Sequence, residues 1–405
     1  KHIYDPEHIL DDFSVSDLTI KKVELLKNSE LKRYARFFNE IDFQKNIVVG
    51  SGPYLLDSWE DKQKVTLKLK ENWWANNVEN GNSWLKAYPK KLVYKTIPDV
   101  NTAVSALKVE ELDVMQKIDP RKFVEELRKD SNFINTFHHG TPSQFVYSYF
   151  GMKMEDPKLA DVKTRKALRH LMDTEEYSER VFFGLGERVS TFIHPSKKQF
   201  INEKLVLPEY NVEKAKTLLA EVGWTDSNQD GILDKMINGQ RVDFNIEVLY
   251  PKVANTSEEG VLLFKNTCEA AGVKIIPVGL DFKVMLDKLQ ARDFEMYFGL
   301  WQAAVVESDP SQLWHTNSIG NAQNYPGFGN AESDKILEAL VVELSEEKRA
   351  ILYKELQQMI DDEAPYIFLL AVRNRVAVHK RIIDPNFSSM GNGYWEAGFR
   401  LEASQ

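Results

Sequence analysis

Hydrophobic and polar positions alternate with two different periods along this chain, and each change of period marks an element. Residues 54–59 and 65–69 have strand character and flank the polar turn Glu60-Asp61-Lys62-Gln63, which predicts a hairpin. A further apolar run at 92–97 precedes a helical face of Val100, Ala103, Val104 and Leu107, and 112–115 reads as a short strand. That order predicts a β-α-β unit with part of its sheet parallel. Residues 145–150 form the next strand. The stretch 161–183 carries two helices, one presenting Val162, Leu168, Leu171 and Met172, the other Tyr177, Val181 and Phe182, before Gly184 and Gly186 end the pattern.

The second half is more regular. A helix at 211–222 presents Val212, Ala215, Leu218, Leu219 and Val222, and the strand 242–250 alternates Val242, Phe244, Ile246 and Val248. Helix 258–271, strand 273–278, helix 282–291 and strand 294–300 follow. Strand and helix repeated in this order predict a parallel, three-layer α/β domain. Two long amphipathic helices, 331–343 and 346–361, lead to an apolar strand at 366–371.

Composition narrows the class. With 405 residues, 43% hydrophobic and 28% charged, the chain is long enough for two or three packed domains. Its net charge of −9 argues against a nucleic-acid or anionic-membrane partner and leaves a small neutral or cationic ligand. The longest uninterrupted apolar run, 367–372, is far shorter than the roughly 20 residues a membrane helix needs. Cys268 is the single cysteine, so no internal disulfide forms, and its place in the apolar pattern of 258–271 marks it as core.

Two local patterns carry candidate chemistry. Asp226, Asn228, Asp230 and Asp234 surround Gly231 with the alternate spacing of an EF-hand loop, but the twelfth position, where a carboxylate closes the shell, is Ile237. A polar turn without metal is the expectation, with no cofactor; a structural Ca²⁺ is the alternative. Catalytic motifs are weak: His138 and His139 point to opposite faces of a strand, and His194, His315 and His379 are scattered. Among the aromatic residues near turns and strand ends, Trp301 stands out. It ends the strand 294–300, and in parallel α/β sheets ligands bind at the carboxyl ends of strands.

Six segments together resemble a known family. They are Val49-Gly50-Ser51-Gly52-Pro53-Tyr54, Asn72-Trp73-Trp74, the turn 106–114, Asp161-Val162-Lys163-Thr164-Arg165-Lys166-Ala167-Leu168, Asn324-Tyr325-Pro326-Gly327-Phe328 through Asp334, and Ala364-Pro365-Tyr366-Ile367. In this order they are similar to the oligopeptide-, dipeptide- and nickel-binding class of bacterial extracellular solute-binding proteins. In the turn 106–114, Glu110 stands where that class usually has glycine.

The resemblance implies an α/β, two-lobed periplasmic-binding-protein-like fold of type II, the large peptide-binding class. It implies a non-enzymatic, monomeric component of an ABC importer that closes on a peptide or peptide-like solute and hands it to a membrane permease, with no nucleic acid involved. The implied location is periplasmic or cell-surface, lipid-anchored or secreted. His2-Ile3-Tyr4 resembles an element near the end of an extra small domain, which implies that this domain and the N-terminal part of lobe 1 are largely missing. The expected division is 1–48 as remnant and hinge, 49–192 plus 376–405 as lobe 1, and 193–375 as lobe 2.

For the site, the resemblance implies ligand contacts from Phe298, Leu300, Trp301 and Gln302 on one lobe and from Tyr149 and Phe150 on the other. Ala304 occupies the position where peptide binders place an aspartate for the ligand's ammonium group; Glu307 and Asp309 are the nearby carboxylates. An unpaired buried ammonium is costly, so recognition of a free peptide N-terminus requires Glu307 or Asp309 to substitute, and the same gap suits an N-blocked peptide or a sugar. The alternatives are an oligosaccharide receptor of the same family, a metal-complex receptor and, from another class, a hydrolase on the same fold.

Overall fold

A computed structural model describes residues 27–40, 45, 48, 50–78, 82–252, 255–303, 309–389 and 391–402. The expectations for His2, Ile3, Tyr4, Val49, Ala304 and Glu307 lie outside the described residues. The chain divides into two compact units, Lys1–Val114 with Val378–Asn386 and Trp395–Gln405, and Met115–Ala377 with Phe387–Tyr394.

In the first unit, β1 (Tyr54–Glu60), β2 (Lys64–Leu69) and β3 (Lys91–Lys95) form an antiparallel meander. The predicted hairpin is there, but the β-α-β unit is not. The helix Val100–Lys108 forms, capped by Asp99, whereas the strand after it shrinks to β4 (Val114–Met115), which is not part of the β1–β3 sheet. The chain passes into the second unit at that point, and β4 pairs outside the meander instead of alongside β3. Glu110 adopts φ 63°, the left-handed conformation that explains the family's glycine there, and its carboxylate lies 3.0 Å from His379 Nε2.

In the second unit, after β5 (Phe137–Gly140), a six-stranded sheet is built from β6 (Ser143–Met152), β7 (Gly186–Arg188), β10 (Asn245–Pro251), β11 (Lys274–Leu280), β12 (Met296–Gln302) and β13 (Tyr366–Arg373), while β8 (Asp234–Ile237) and β9 (Gln240–Asp243) form a separate hairpin. The order is β11-β10-β12-β6-β13-β7. Only β10, β11 and β12 are parallel; β6, β13 and β7 run antiparallel to their neighbours, so the predicted parallel sheet is a mixed one. The expected boundary at 192/193 does not fall there either. β6 pairs with β12 on one side and β13 on the other, which places residues 143–152 in the middle of the second unit's sheet.

Both faces of this sheet are covered. Phe150, Ile246, Val248, Met296 and Phe298 pack under the helices Val162–Leu171, Val212–Glu221 and Asn255–Glu269, where Cys268 is buried as expected. Tyr149, Leu249, Tyr297 and Tyr366 pack under Phe282–Gln290, Ala331–Val342 and Glu346–Glu363. The period-2 pattern of each strand and the period-3.6 pattern of each helix meet in a three-layer sandwich.

Two arginines of Val162–Leu171 lock that sandwich. Arg165, 1% exposed, donates from Nε to the Glu363 carbonyl at 2.9 Å and from Nη1 to the carbonyls of Leu159 and Ala160 at 2.8 Å. Arg169 donates from Nε to the Tyr366 carbonyl at 2.9 Å and from Nη1 to Asp361 Oδ1 at 2.7 Å. The Glu363 and Tyr366 carbonyls belong to the C-terminal end of Glu346–Glu363 and its exit, where Ala364 turns left-handed at φ 51°. Losing either guanidinium strands buried acceptors and an unpaired carboxylate. Arg169→Ala is expected to cost about 3 kcal/mol in urea unfolding, whereas Lys163→Ala, which breaks the exposed pair with Glu221, leaves the unfolding midpoint essentially unchanged.

Candidate functional site

The parallel strands β10, β11 and β12 end on one edge of the sheet, at Pro251, Leu280 and Gln302. Helices cover both faces, so this edge is where backbone and side chains of several strands become accessible together. Leu300 is 55% exposed, Gln302 is exposed and Trp301 is half-buried. Beyond them, the Ala303 N–H donates to the Phe145 carbonyl at 2.7 Å, joining the end of β12 to the start of β6.

Strand alternation separates the six described residues that the resemblance grouped. Phe298 and Phe150 are register partners with ring centroids 5.5 Å apart, 2% and 0% exposed, and belong to the first core layer. Tyr149 faces the other layer, 4% exposed, stacked on Tyr366 at 4.1 Å. These three are core residues and not cleft walls: antiparallel pairing with β12 and β13 fills the space on both sides of β6. Leu300, Trp301 and Gln302 remain at the accessible edge. Asp309 is exposed and its Oδ1 accepts from the Ser311 N–H at 2.8 Å.

Sequence reasoning missed a polar group on the same edge. Ser143, half-buried at the start of β6, has its Oγ 3.1 Å from His194 Nε2. His194 Nδ1 lies 2.8 Å from Ser196 Oγ and accepts the Ser196 backbone N–H at 3.2 Å. A nitrogen that accepts an N–H carries no proton, so in the neutral ring the proton sits on Nε2. His194 therefore donates toward Ser143, the reverse of what a general base does for a serine nucleophile. Burial pulls the His194 pKa down; the Gln144 carbonyl, which also accepts from the ring, and Glu187 act against that, while Lys197 adds to it. Nothing in the sequence flagged this histidine, because its partners lie 51 residues upstream and two downstream of it, in no recognised spacing.

The buried tyrosines nearby are not acid-base groups. Burial pushes the pKa values of Tyr147, Tyr149, Tyr297 and Tyr366 up, which keeps them neutral phenols.

The first unit holds a cavity of about 400 Å³ lined by Leu56, Trp59, Val65, Leu67, Leu92 and Tyr94, all on one face of the meander. The glycine-rich segment beside it is an acceptor turn. The Ser51 carbonyl receives both indole N–H groups of Trp73 and Trp74 at 2.9 Å, and the Pro53 carbonyl receives the Lys70 N–H at 2.8 Å. Burial and the Glu396 carboxylate push Tyr54, whose hydroxyl donates to the Pro89 carbonyl, up to about 12.

The three-layer unit with its open strand-end edge defines the class: the fold is that of the two-lobed periplasmic peptide-binding proteins. AppA from Bacillus subtilis in complex with a nonapeptide matches with TM-score 0.76 at 23% identity, over 98% of this chain and 71% of that one. NikA from Brucella suis in complex with Fe(III)-EDTA matches with TM-score 0.74 at 20% identity, over 87% and 68%. The sequence model of the bacterial extracellular solute-binding proteins, family 5 (middle region), covers residues 21–324, and the chain belongs to that family, a family of binding proteins.

Among curated relatives, the oligopeptide-binding protein AppA of Bacillus subtilis is 24% identical over 382 residues, and heme-binding protein A of Haemophilus influenzae is 26% identical over 334. The alignments take in 93% and 79% of this chain but only 63% and 54% of those proteins. Among the described residues no helix is long and apolar enough to cross a membrane.

The calcium-like loop has turned its carboxylates inward. Asp226 accepts from the Asp230 and Gly231 N–H groups at 3.1 and 3.0 Å, Asp230 from the Ile232 N–H and the Asn228 amide at 2.8 and 2.9 Å, and Asp234, 4% exposed, from Ser227. Among the described residues no three His, Cys, Asp or Glu side chains gather closely enough to hold a metal ion. We expect the loop to be held by these bonds alone. Chelation followed by millimolar calcium then leaves the melting temperature within about 1 °C, whereas a calcium-dependent rise of several degrees restores the metal site.

Proposed function

We propose that this chain is the substrate-binding component of an ABC importer, outside the cytoplasmic membrane, that takes up a peptide or peptide-like solute and delivers it to a permease. The observation that carries this reading is the edge at the ends of β10, β11 and β12. An accessible Leu300-Trp301-Gln302 segment sits there on a rigid sheet, beside a serine-histidine pair whose tautomer is wrong for hydrolysis. AppA, named for oligopeptide binding, aligns along nearly the whole chain and supports the peptide class. Closure of two lobes over the solute supplies the rest of the binding energy by removing Trp301 and Leu300 from water. With Ala304 in place of the expected aspartate, the preferred peptide is one whose N-terminus is blocked or not bound as an ammonium.

Native mass spectrometry of the purified chain, with release and identification of anything bound, tests the class directly. Thermal-shift titration against peptide and oligosaccharide panels then separates the readings, since only a ligand that prefers the folded state raises the melting temperature. Peptides are expected to stabilise the protein, N-acetylated ones at least as well as free ones; a shift with oligosaccharides alone replaces the peptide reading by the sugar one. Trp301→Ala and Leu300→Ser each weaken peptide binding about tenfold. The exposed position of Leu300 keeps the folding cost of its substitution within about 0.5 kcal/mol.

A further inference from the structure

His194 sits in a chain of hydrogen bonds whose direction is fixed from one end. The Ser196 backbone N–H can only donate, and it donates to Nδ1. Nε2 then carries the proton, and Ser143 Oγ lies 3.1 Å from it. Nε2 so protonated has no lone pair for the Ser143 hydroxyl. Ser143 must send its own proton elsewhere, and His194 is the one side-chain partner of its hydroxyl among the described residues.

The place where that proton points is set by the sheet. Tyr147 and Tyr149 share one side of β6 with Trp301, the register partner of Tyr147; the pairing with β13 shifts between Tyr147 and Ser143, and what places Ser143 is His194, which meets both its hydroxyl and the Phe145 ring. Phe145 is held at both ends, its ring 4.8 Å from His194 and its carbonyl bonded to Ala303. Ser143 thus stands at the strand-end edge, two residues beyond a position joined to the end of β12. Cations flank it. Lys197 Nζ lies 5.4 Å from the Phe145 ring centroid, and Arg373, the β13 register partner of Ser143, is exposed.

We propose that Ser143 Oγ–H is a ligand-facing donor, aimed by His194, for a carboxylate of the solute that rests beside Trp301. This rests on the proposed function and names the chemical group its site selects. The carboxylate gains a hydroxyl already polarised by an imidazole N–H, with the exposed Arg373 on the neighbouring strand, and the hydroxyl is presented at little entropic cost.

Two independent measurements test it. Long-range ¹H–¹⁵N correlation on uniformly labelled protein reads the His194 tautomer without any ligand. A proton on Nε2 is expected; a proton on Nδ1 overturns the inference, whatever the protein binds. The second uses a library of tri- to hexapeptides synthesised both as free acids and as C-terminal amides, titrated by calorimetry. Acids are expected to bind about tenfold tighter than amides. Ser143→Ala abolishes that difference by weakening the acids alone, while Ser143→Thr and His194→Gln, which keeps a donor near the Nε2 position, retain most of it. A merely structural serine would lower the melting temperature and affect acids and amides alike. Equal binding of acids and amides by the unaltered protein overturns this inference and leaves the peptide reading standing; no binding of either form overturns both.

Discussion

The buried guanidinium groups of Arg165 and Arg169 are the constraint on which the binding unit depends. A helix of 18 residues, Glu346–Glu363, ends in carbonyls that its own backbone cannot satisfy, and the chain must then reverse directly into β13. Ala364 makes the reversal and Pro365 prevents the helix from continuing. The two arginines, reaching from the opposite layer, supply the missing donors. Because Arg169 holds the carbonyl of Tyr366, the first residue of β13, the register of that strand is tied to the helix Val162–Leu171. β13 in turn fixes β6, and β6 fixes the end of β12. Two of the six sequence segments that carry the family resemblance, 161–168 and 364–367, are therefore the two sides of one joint.

The same chain of pairings explains how much could be read beforehand. Local periodicity located most elements to within a few residues, because each strand from 242 onward buries its sides in covered layers and each helix keeps an apolar stripe. Register and partner choice were not legible. Nothing in 145–150 says that its neighbours in the sheet lie about 150 and 220 residues further along. That long-range pairing moved residues 143–152 into the second unit and turned Phe150, Tyr149 and Phe298 from expected cleft walls into core. Exposed Leu300 and Gln302 and half-buried Trp301 were legible because they follow a strand of known direction. Ser143 and His194 were not, since a hydrogen bond between a strand start and a distant loop leaves no spacing to find. The turn at 324–328 shows the opposite case: buried Asn324 accepts from the Gly327 and Phe328 N–H groups and donates to the carbonyls of His315 and Phe328, so its motif is a self-contained device that sequence preserves.

The candidate edge is held from below as firmly as from within. Asn374, fully buried just past the end of β13, accepts on Oδ1 from the N–H groups of Lys117 and Arg375 at 2.9 Å, donates from Nδ2 to the Asn392 carbonyl at 2.7 Å, and its own N–H meets the Pro142 carbonyl at 2.8 Å. Arg375 adds a bond from Nε to the Ile118 carbonyl at 2.7 Å, and its burial pulls its pKa down to about 10. A side chain at Gly393, where φ is +93°, would meet Asn374 Nδ2 at 3.0 Å and Pro142 Cγ at 3.1 Å, so the segments approach as closely as glycine permits. Lys117, Asn374 and Asn392 each lie within about three residues of a point where the chain passes between the two units. One asparagine therefore joins the second unit's ends of three such passages to Pro142, the residue before Ser143. The start of β6, the end of β13 and the segment at Asn392 are thus one hydrogen-bonded assembly, and the strand-end edge is fixed by buried polar bonds and not by loop contacts.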